Sequence, residues 1–260
     1  TITGLTAGST YFFEIFTRKG TNWSDGVILS IEPINTLIGD FRSTATGNWN
    51  TAASWQRWNG TAWINCTTLS SPNQWPNQGG TSGSAGTINV TIQSGHTITI
   101  STSAASQAIN NLTVNAGGKL FTNNSLLNGN RYLTIYGDIK CNGEIGNGSA
   151  IYDNISFNVE GNPTSISGTG TFNASRIRKN FSTNATTNLI IAMNVGLRFA
   201  AGVGNSSGTQ IYSNVSGTVF NMTINENVVV TLNKDVGLSG NISIDGIDGE
   251  GSGERGGTFT

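Results

Sequence analysis

A four-residue phrase recurs six times in this chain and limits the folds that it can adopt. The phrase begins at residues 89, 111, 132, 154, 221 and 241, with apolar residues at its second and fourth positions and Thr or Ser at its third. Such alternation is typical of a strand with one buried face. The starts are 22, 21, 22, 67 and 20 residues apart. A period near 22 indicates a right-handed parallel β-helix, in which three short strands complete one coil.

The phrase also predicts which residues form the core. If the phrases stack on each other, their apolar positions form two internal columns. The long interval leaves room for two further coils, near Arg176 and Arg198. Gly and Asn between the strands predict sharp corners, where an Asn amide can hydrogen-bond from coil to coil. The predicted columns are Val90, Leu112, Leu133, Ile155, Met222 and Ile242, and Ile92, Val114, Ile135, Phe157, Ile224 and Ile244.

Charge is scarce in this sequence, and its scarcity bears on function. Only 10% of the residues are charged and the formal net charge is −1, so the surface is mostly hydroxyl and amide, as in extracellular proteins. Binding to nucleic acid or to an anionic membrane is disfavoured. No run approaches the about 18 apolar residues of a membrane span. The fold class predicted from all these features is all-β.

Residues 36–86, ahead of the predicted β-helix at 87–245, are rich in tryptophan. Exposed indoles stack on sugar rings, so one hypothesis is a glycan site. The other is a cap, because the first coil of a solenoid has an open apolar end that must be covered. We favour the cap and keep the glycan site as an alternative. The candidate glycan ligands are Trp49, Trp55, Trp58 and Trp63.

Other candidate sites are weaker. Cys66 and Cys141, the only cysteines, either form a disulfide or remain separate buried thiols. The acidic Gly-rich tail suggests calcium as a possible cofactor, although we favour a flexible connector over 246–260. The calcium ligands would be Asp245, Asp248 and Glu250.

Catalysis has little support in this sequence. His96 is the only histidine, which excludes sites with several histidines. Asp138 and Glu160 are 22 residues apart and would stack in adjacent coils. A polysaccharide lyase or hydrolase would use such paired carboxylates, but the repulsion between them favours surface corners or a cation site. Without a convergent set of acids and bases, we predict that the chain is not an enzyme.

Two segments resemble known families. Residues 1–35, with Leu5, a polar turn, Tyr11 and the Trp23-Ser-Asp-Gly turn, resemble the C-terminal part of a fibronectin type III module. The Trp-rich segment, continuing through the Gly95-His-Thr turn, resembles a region of large surface proteins of Bacteroidetes-type bacteria. These resemblances imply a piece of a longer secreted or cell-surface protein, such as an adhesin stalk or filament component. Implied partners are extracellular polysaccharides, other surface proteins or copies of the chain itself.

Overall fold

The computed structural model divides the chain into two compact units, residues 1–37 and 38–260. The described residues are all-β, apart from two single-turn 3₁₀ helices. They comprise 11–31, 36–78, 87–100, 107–122, 131–146, 155–179, 186–197, 211–213, 216–225, 228–232, 236–238, 240–244 and 258–259.

The first unit contains two antiparallel strand pairs. An outer pair, β1 with β4, encloses a short hairpin formed by β2 and β3. Gly20 forms the tip of that hairpin with a φ of 65°, which L side chains rarely adopt. The strands are β1 (Tyr11–Ile15), β2 (Arg18–Lys19), β3 (Asn22–Trp23) and β4 (Val27–Ile31).

The second unit opens with mixed pairing. One strand, β5, pairs in parallel with the rest of its sheet on one side and antiparallel with β7 on the other, and β7 pairs antiparallel with β8. The 3₁₀ helices Ala52–Ser54 and Cys66–Thr68 flank the β7–β8 hairpin. The strands here are β5 (Phe41–Ser43), β6 (Gly47–Asn48), β7 (Trp55–Trp58) and β8 (Trp63–Asn65).

Twenty further strands are described in the second unit. They are β9 (Val90–Ile92), β10 (Thr97–Ile100), β11 (Gln107–Ile109), β12 (Leu112–Val114), β13 (Lys119–Thr122), β14 (Arg131–Ile135), β15 (Ile139–Cys141), β16 (Glu144–Ile145), β17 (Ile155–Val159), β18 (Thr164–Ser167), β19 (Thr171–Ala174), β20 (Arg176–Lys179), β21 (Thr186–Ala192), β22 (Val195–Leu197), β23 (Ile211–Ser213), β24 (Val219–Ile224), β25 (Val229–Leu232), β26 (Val236–Gly237), β27 (Ile242–Ile244) and β28 (Thr258–Phe259).

From β9 onward, every third strand returns to the same sheet. The first sheet has ten strands in the order β8-β7-β5-β9-β12-β15-β18-β21-β24-β27. The second sheet follows the order β6-β10-β13-β16-β19-β22-β25-β28, and the third β11-β14-β17-β20-β23-β26. All pairs from β9 on are parallel. This topology is compatible with a β-helix or solenoid.

One apolar core runs through the second unit. It is built by the inward residues of all three sheets, such as Ile92 in the first, Ile98 in the second and Leu133 in the third, each with no exposed surface. Because strands with one buried face alternate in polarity, short β-branched runs are enough to form this core.

From Val90 to Ile224 the residues of the predicted columns are buried, but their predicted register is wrong. Leu112 stacks on Val90 as expected, but its next partner is Ile139 rather than Leu133. Leu133 lies in the third sheet, where it pairs with Phe157 instead of Ile155. Any strand with one buried face produces the same phrase, so the phrase does not specify which of the three sheets a strand joins.

The coil length also varies more than the phrase spacing suggests. Along the first sheet, paired residues are 22 apart at Ile92 and Val114, and 27 apart at Val114 and Cys141. The interval is 33 between Ile191 and Ile224. Turns of different length between the strands absorb these differences. Ile242, predicted to be internal, is 47% exposed, whereas the Ile244 side chain and Arg198 lie outside the described part of the chain.

Candidate functional site

The four tryptophans predicted to bind glycan fall into two pairs with opposite environments. Trp49 and Trp55 are buried, whereas Trp58 and Trp63 are half-buried. Alternation along β7 explains the difference between Trp55 and Trp58, because residues three apart in a strand point to opposite faces. Trp55 faces the core, and Trp58 faces outward.

The buried pair is structural. The two rings meet edge to face, with centroids 5.3 Å apart, and Trp55 Nε1 donates to the Trp49 carbonyl at 2.6 Å. Trp49 Nε1 donates to the Pro76 carbonyl at 3.2 Å and to Gln107 Oε1 at 3.1 Å. Neither indole face is open to a sugar, which corrects the prediction for these two residues. A buried indole needs a partner for its N–H, and both have one.

The half-buried pair lies on the outward side of β7 and β8. Trp58 and Trp63 are cross-strand partners whose ring centroids are 5.4 Å apart at an angle of 54°. The Arg42 guanidinium lies 4.5 Å from the Trp63 centroid, a cation–π distance. These indoles are the part of the predicted glycan site that the structure leaves accessible.

Two amides hold this arginine in place. Arg42 Nε donates to Gln56 Oε1 at 2.8 Å, and Gln56 Nε2 donates to Asn65 Oδ1 at 2.8 Å. The three residues are aligned across neighbouring strands, since Arg42 pairs with Gln56 and Gln56 with Asn65. We name Arg42, Gln56, Trp58, Trp63 and Asn65 the indole–amide face.

Burial lowers the pKa of the Arg42 guanidinium from its usual range, although an arginine remains charged at neutral pH. The face therefore combines a fixed positive charge, two amides and two indoles. Sequence reasoning missed Arg42 and Asn65. The signal that could have found them is their alternation with buried residues in strands beside the tryptophans.

Both cysteines are buried free thiols, so the disulfide alternative is not realised. Cys66 directly follows β8, and four strands of the first sheet separate β8 from β15, which contains Cys141. At about 4.8 Å per strand the separation far exceeds the reach of a disulfide. Burial raises the pKa of each thiol to about 11, with Arg57 acting in the opposite direction on Cys66.

The two carboxylates considered for catalysis do not converge. Asp138 Oδ1 accepts a hydrogen bond from the Ser165 backbone N–H at 2.7 Å. Glu160 has no exposed side-chain surface and forms an ion pair with Lys179 at 3.6 Å. These contacts indicate that Asp138 stabilises a corner between strands and that Glu160 stabilises the interior.

The remaining residues considered from the sequence are His96 and the three calcium candidates. His96 Nδ1 is hydrogen-bonded to Ser43 Oγ at 2.9 Å, and the same oxygen accepts from the Gln93 backbone N–H. The calcium candidates Asp245, Asp248 and Glu250 lie outside the described residues. Among the described residues, no helix has the length and apolar character needed to cross a membrane.

Comparison with protein-family models, with curated proteins and with solved structures finds no match for this chain.

Proposed function

We propose that residues 87–245, preceded by a cap over 36–86, form a right-handed parallel β-helix that serves as a structural or adhesive stalk, or as a filament component, of a larger secreted or cell-surface bacterial protein. The observation that carries the proposal is the return of every third strand to the same sheet, from β9 to β28. Each coil adds one strand spacing along the axis, so such a fold gains length by repetition.

Side-chain ladders between coils support a structural role. In one ladder Asn89 donates to Asp40, and Asn111 donates to Asn89 at 2.9 Å. A second ladder runs through Asn188 and Asn221, which are joined at 2.8 Å. These amides connect successive coils in addition to the backbone pairing, so the coils that carry them are held together at their corners.

The strands and side chains at the start of the second unit support the prediction that tryptophans cap the first coil. The β7–β8 hairpin extends the first sheet with antiparallel strands, and the buried Trp49 and Trp55 pack into the same core as Phe41. An antiparallel extension with large aromatics beneath it covers apolar surface that a first parallel coil would otherwise expose.

For residues 1–35 we propose the C-terminal part of a fibronectin type III module. The antiparallel pairing of Tyr11–Ile15 with Val27–Ile31, around the Asn22–Trp23 hairpin, supports this assignment. Leu5, the other residue of the resemblance, lies outside the described residues.

Incubation of the purified chain with bacterial, algal and plant polysaccharides tests the stalk against an enzyme. We expect mass spectrometry to detect no released oligosaccharides. Release that is abolished by Asp138→Asn or Glu160→Gln would replace the stalk with a β-helical lyase or hydrolase. Electron microscopy at high protein concentration tests the filament version, which single short particles alone would contradict.

Carbohydrate binding is the second candidate function. It is favoured by one observation, the outward position of Trp58 and Trp63 beside a fixed arginine and two amides.

A further inference from the structure

We infer that the indole–amide face binds an acidic polysaccharide through the carboxylates of its uronic acid residues. The inference deepens the carbohydrate-binding candidate and is independent of the stalk, because a stalk needs no ligand on this face.

The face is preorganised by backbone pairing. Its five residues occupy three adjacent strands, β5, β7 and β8, in a continuous antiparallel register. Sites built on strands are held more tightly than sites on loops, so little conformational entropy is lost when a ligand binds.

Each side-chain oxygen of this face already accepts a hydrogen bond, whereas several of its donors have no acceptor. Gln56 uses its oxygen for Arg42 and its nitrogen for Asn65. Within the described residues, the Arg42 η nitrogens, the Asn65 Nδ2 and the Trp58 and Trp63 Nε1 groups have no hydrogen-bond acceptor. A ligand that complements this set must be rich in acceptors.

A carboxylate matches the arginine best. The guanidinium presents two parallel N–H groups to the two oxygens of a carboxylate, and this bidentate pair is stronger than a bond to a hydroxyl. Here Nε is already bonded to Gln56, which leaves the η nitrogens for the ligand. The indoles supply an apolar surface for the C–H side of a sugar ring.

The charges around the face are compatible with an anion. Asp40, which precedes Arg42 in the chain, is buried and both its carboxylate oxygens accept hydrogen bonds from Asn89. Arg42 is in register with Thr91, then Thr113, then the exposed Lys140. The two threonine hydroxyls of this row can bond a chain that extends across the strands.

Binding of the whole 260-residue chain to oligogalacturonate, measured by isothermal titration calorimetry, tests the inference. The comparison ligand is a neutral dextran oligosaccharide of the same length. We expect oligogalacturonate to bind more tightly, and Arg42→Gln to weaken its binding about tenfold or more, as expected for a lost charge-assisted pair. Trp58→Ala should weaken binding of the same ligand.

The other unit offers a matched control. There Arg18 lies 5.4 Å from the ring centroid of Trp23, a second arginine–indole pair, and Trp23 is 64% exposed. Because no aligned amides flank it in the described structure, Trp23→Ala should leave affinity unchanged. If Trp58→Ala lowers the melting temperature, Arg42→Gln and the exposed Asn65→Ala decide the question.

Several outcomes would overturn the inference. One is the absence of oligogalacturonate binding, and another is equal binding of the dextran oligosaccharide. Equal weakening by Trp23→Ala would indicate non-specific adsorption. Equal affinity for a single-stranded oligonucleotide would indicate attraction by charge alone. None of these results bears on the stalk, which is tested by oligosaccharide release and electron microscopy.

Discussion

Lys179 and Glu160 form an ion pair with no exposed side-chain surface on either residue. The Lys179 Nζ also donates to Thr187 Oγ1 at 2.9 Å. Removal of one partner leaves the other charge buried. We therefore expect Lys179→Met to lower the free energy of unfolding by about 3–5 kcal/mol. Urea unfolding measures this loss, and the double variant with Glu160→Gln should recover part of it.

The ion pair of Lys119 and Glu144 is the natural control. Its side chains are 44% and 27% exposed, although its N–O distance is shorter, at 3.0 Å. Water already solvates both charges, so Lys119→Met should cost about 1 kcal/mol or less. Equal losses for the two lysine variants would show that burial does not govern these pairs.

Because Cys66 and Cys141 are buried thiols, we expect the folded state to lose stability at alkaline pH. Burial raises their pKa from 9.0 to about 11, so the folded state disfavours the thiolate. Their contribution is fully present below pH 9 and is lost as the pH rises to about 11. The melting temperature between pH 7 and 11 should fall more steeply for the natural chain than for Cys66→Ala/Cys141→Ala. Parallel pH profiles would contradict this prediction.

At the scale of elements, the β7–β8 hairpin has an inner and an outer face. Trp55→Ala removes a buried indole and the partner of the Trp49 ring, and should cost about 3–5 kcal/mol in unfolding free energy. Thermal and urea unfolding measure the loss. Trp55→Phe keeps most of the apolar volume and should cost less.

The matched variant in the same strand is Trp58→Ala. Its side chain is half-buried on the outward face, so its loss should cost clearly less than that of Trp55. A larger loss for Trp58 would mean that the outer face, rather than the inner one, stabilises the start of the second unit.

At the scale of the whole second unit, glycines show how closely the coils approach. A Cβ on Gly143 would collide with the Gly118 carbonyl oxygen, and a Cβ on Gly170 with that of Gly143. The three glycines lie beside one another in successive coils. We expect Gly143→Ala to cost about 1–3 kcal/mol in thermal unfolding, because a backbone atom must shift.

Gly196→Ala is the control variant, because it adds the same Cβ at another glycine of the second unit. A Cβ there meets the side-chain oxygen of Asn173, which can rotate away, instead of a backbone atom. The cost should stay within about 0.5 kcal/mol. A Gly143 variant as stable as the Gly196 variant would show that the coils can separate without loss.

The sequence alone was sufficient to predict the all-β class and the burial of residues such as Val90, Leu112 and Phe157, because alternation is a local property of a strand. It also predicted that corner asparagines bond from coil to coil, as Asn89 and Asn111 do. A short polar side chain at a stacked turn has few other partners.

Only the tertiary structure decided which sheet each strand joins and which face of β7 is buried. Leu133 pairs with Phe157 and not with Leu112, because the turns between the strands differ in length and set the register. Alternation places Trp55 and Trp58 on opposite faces, but the core lies on the Trp55 side through contacts with Trp49 and Phe41. Strand pairing depends on residues distant in the chain, and so does the buried face of a strand such as β7 that has tryptophan on both faces, so local alternation does not determine them.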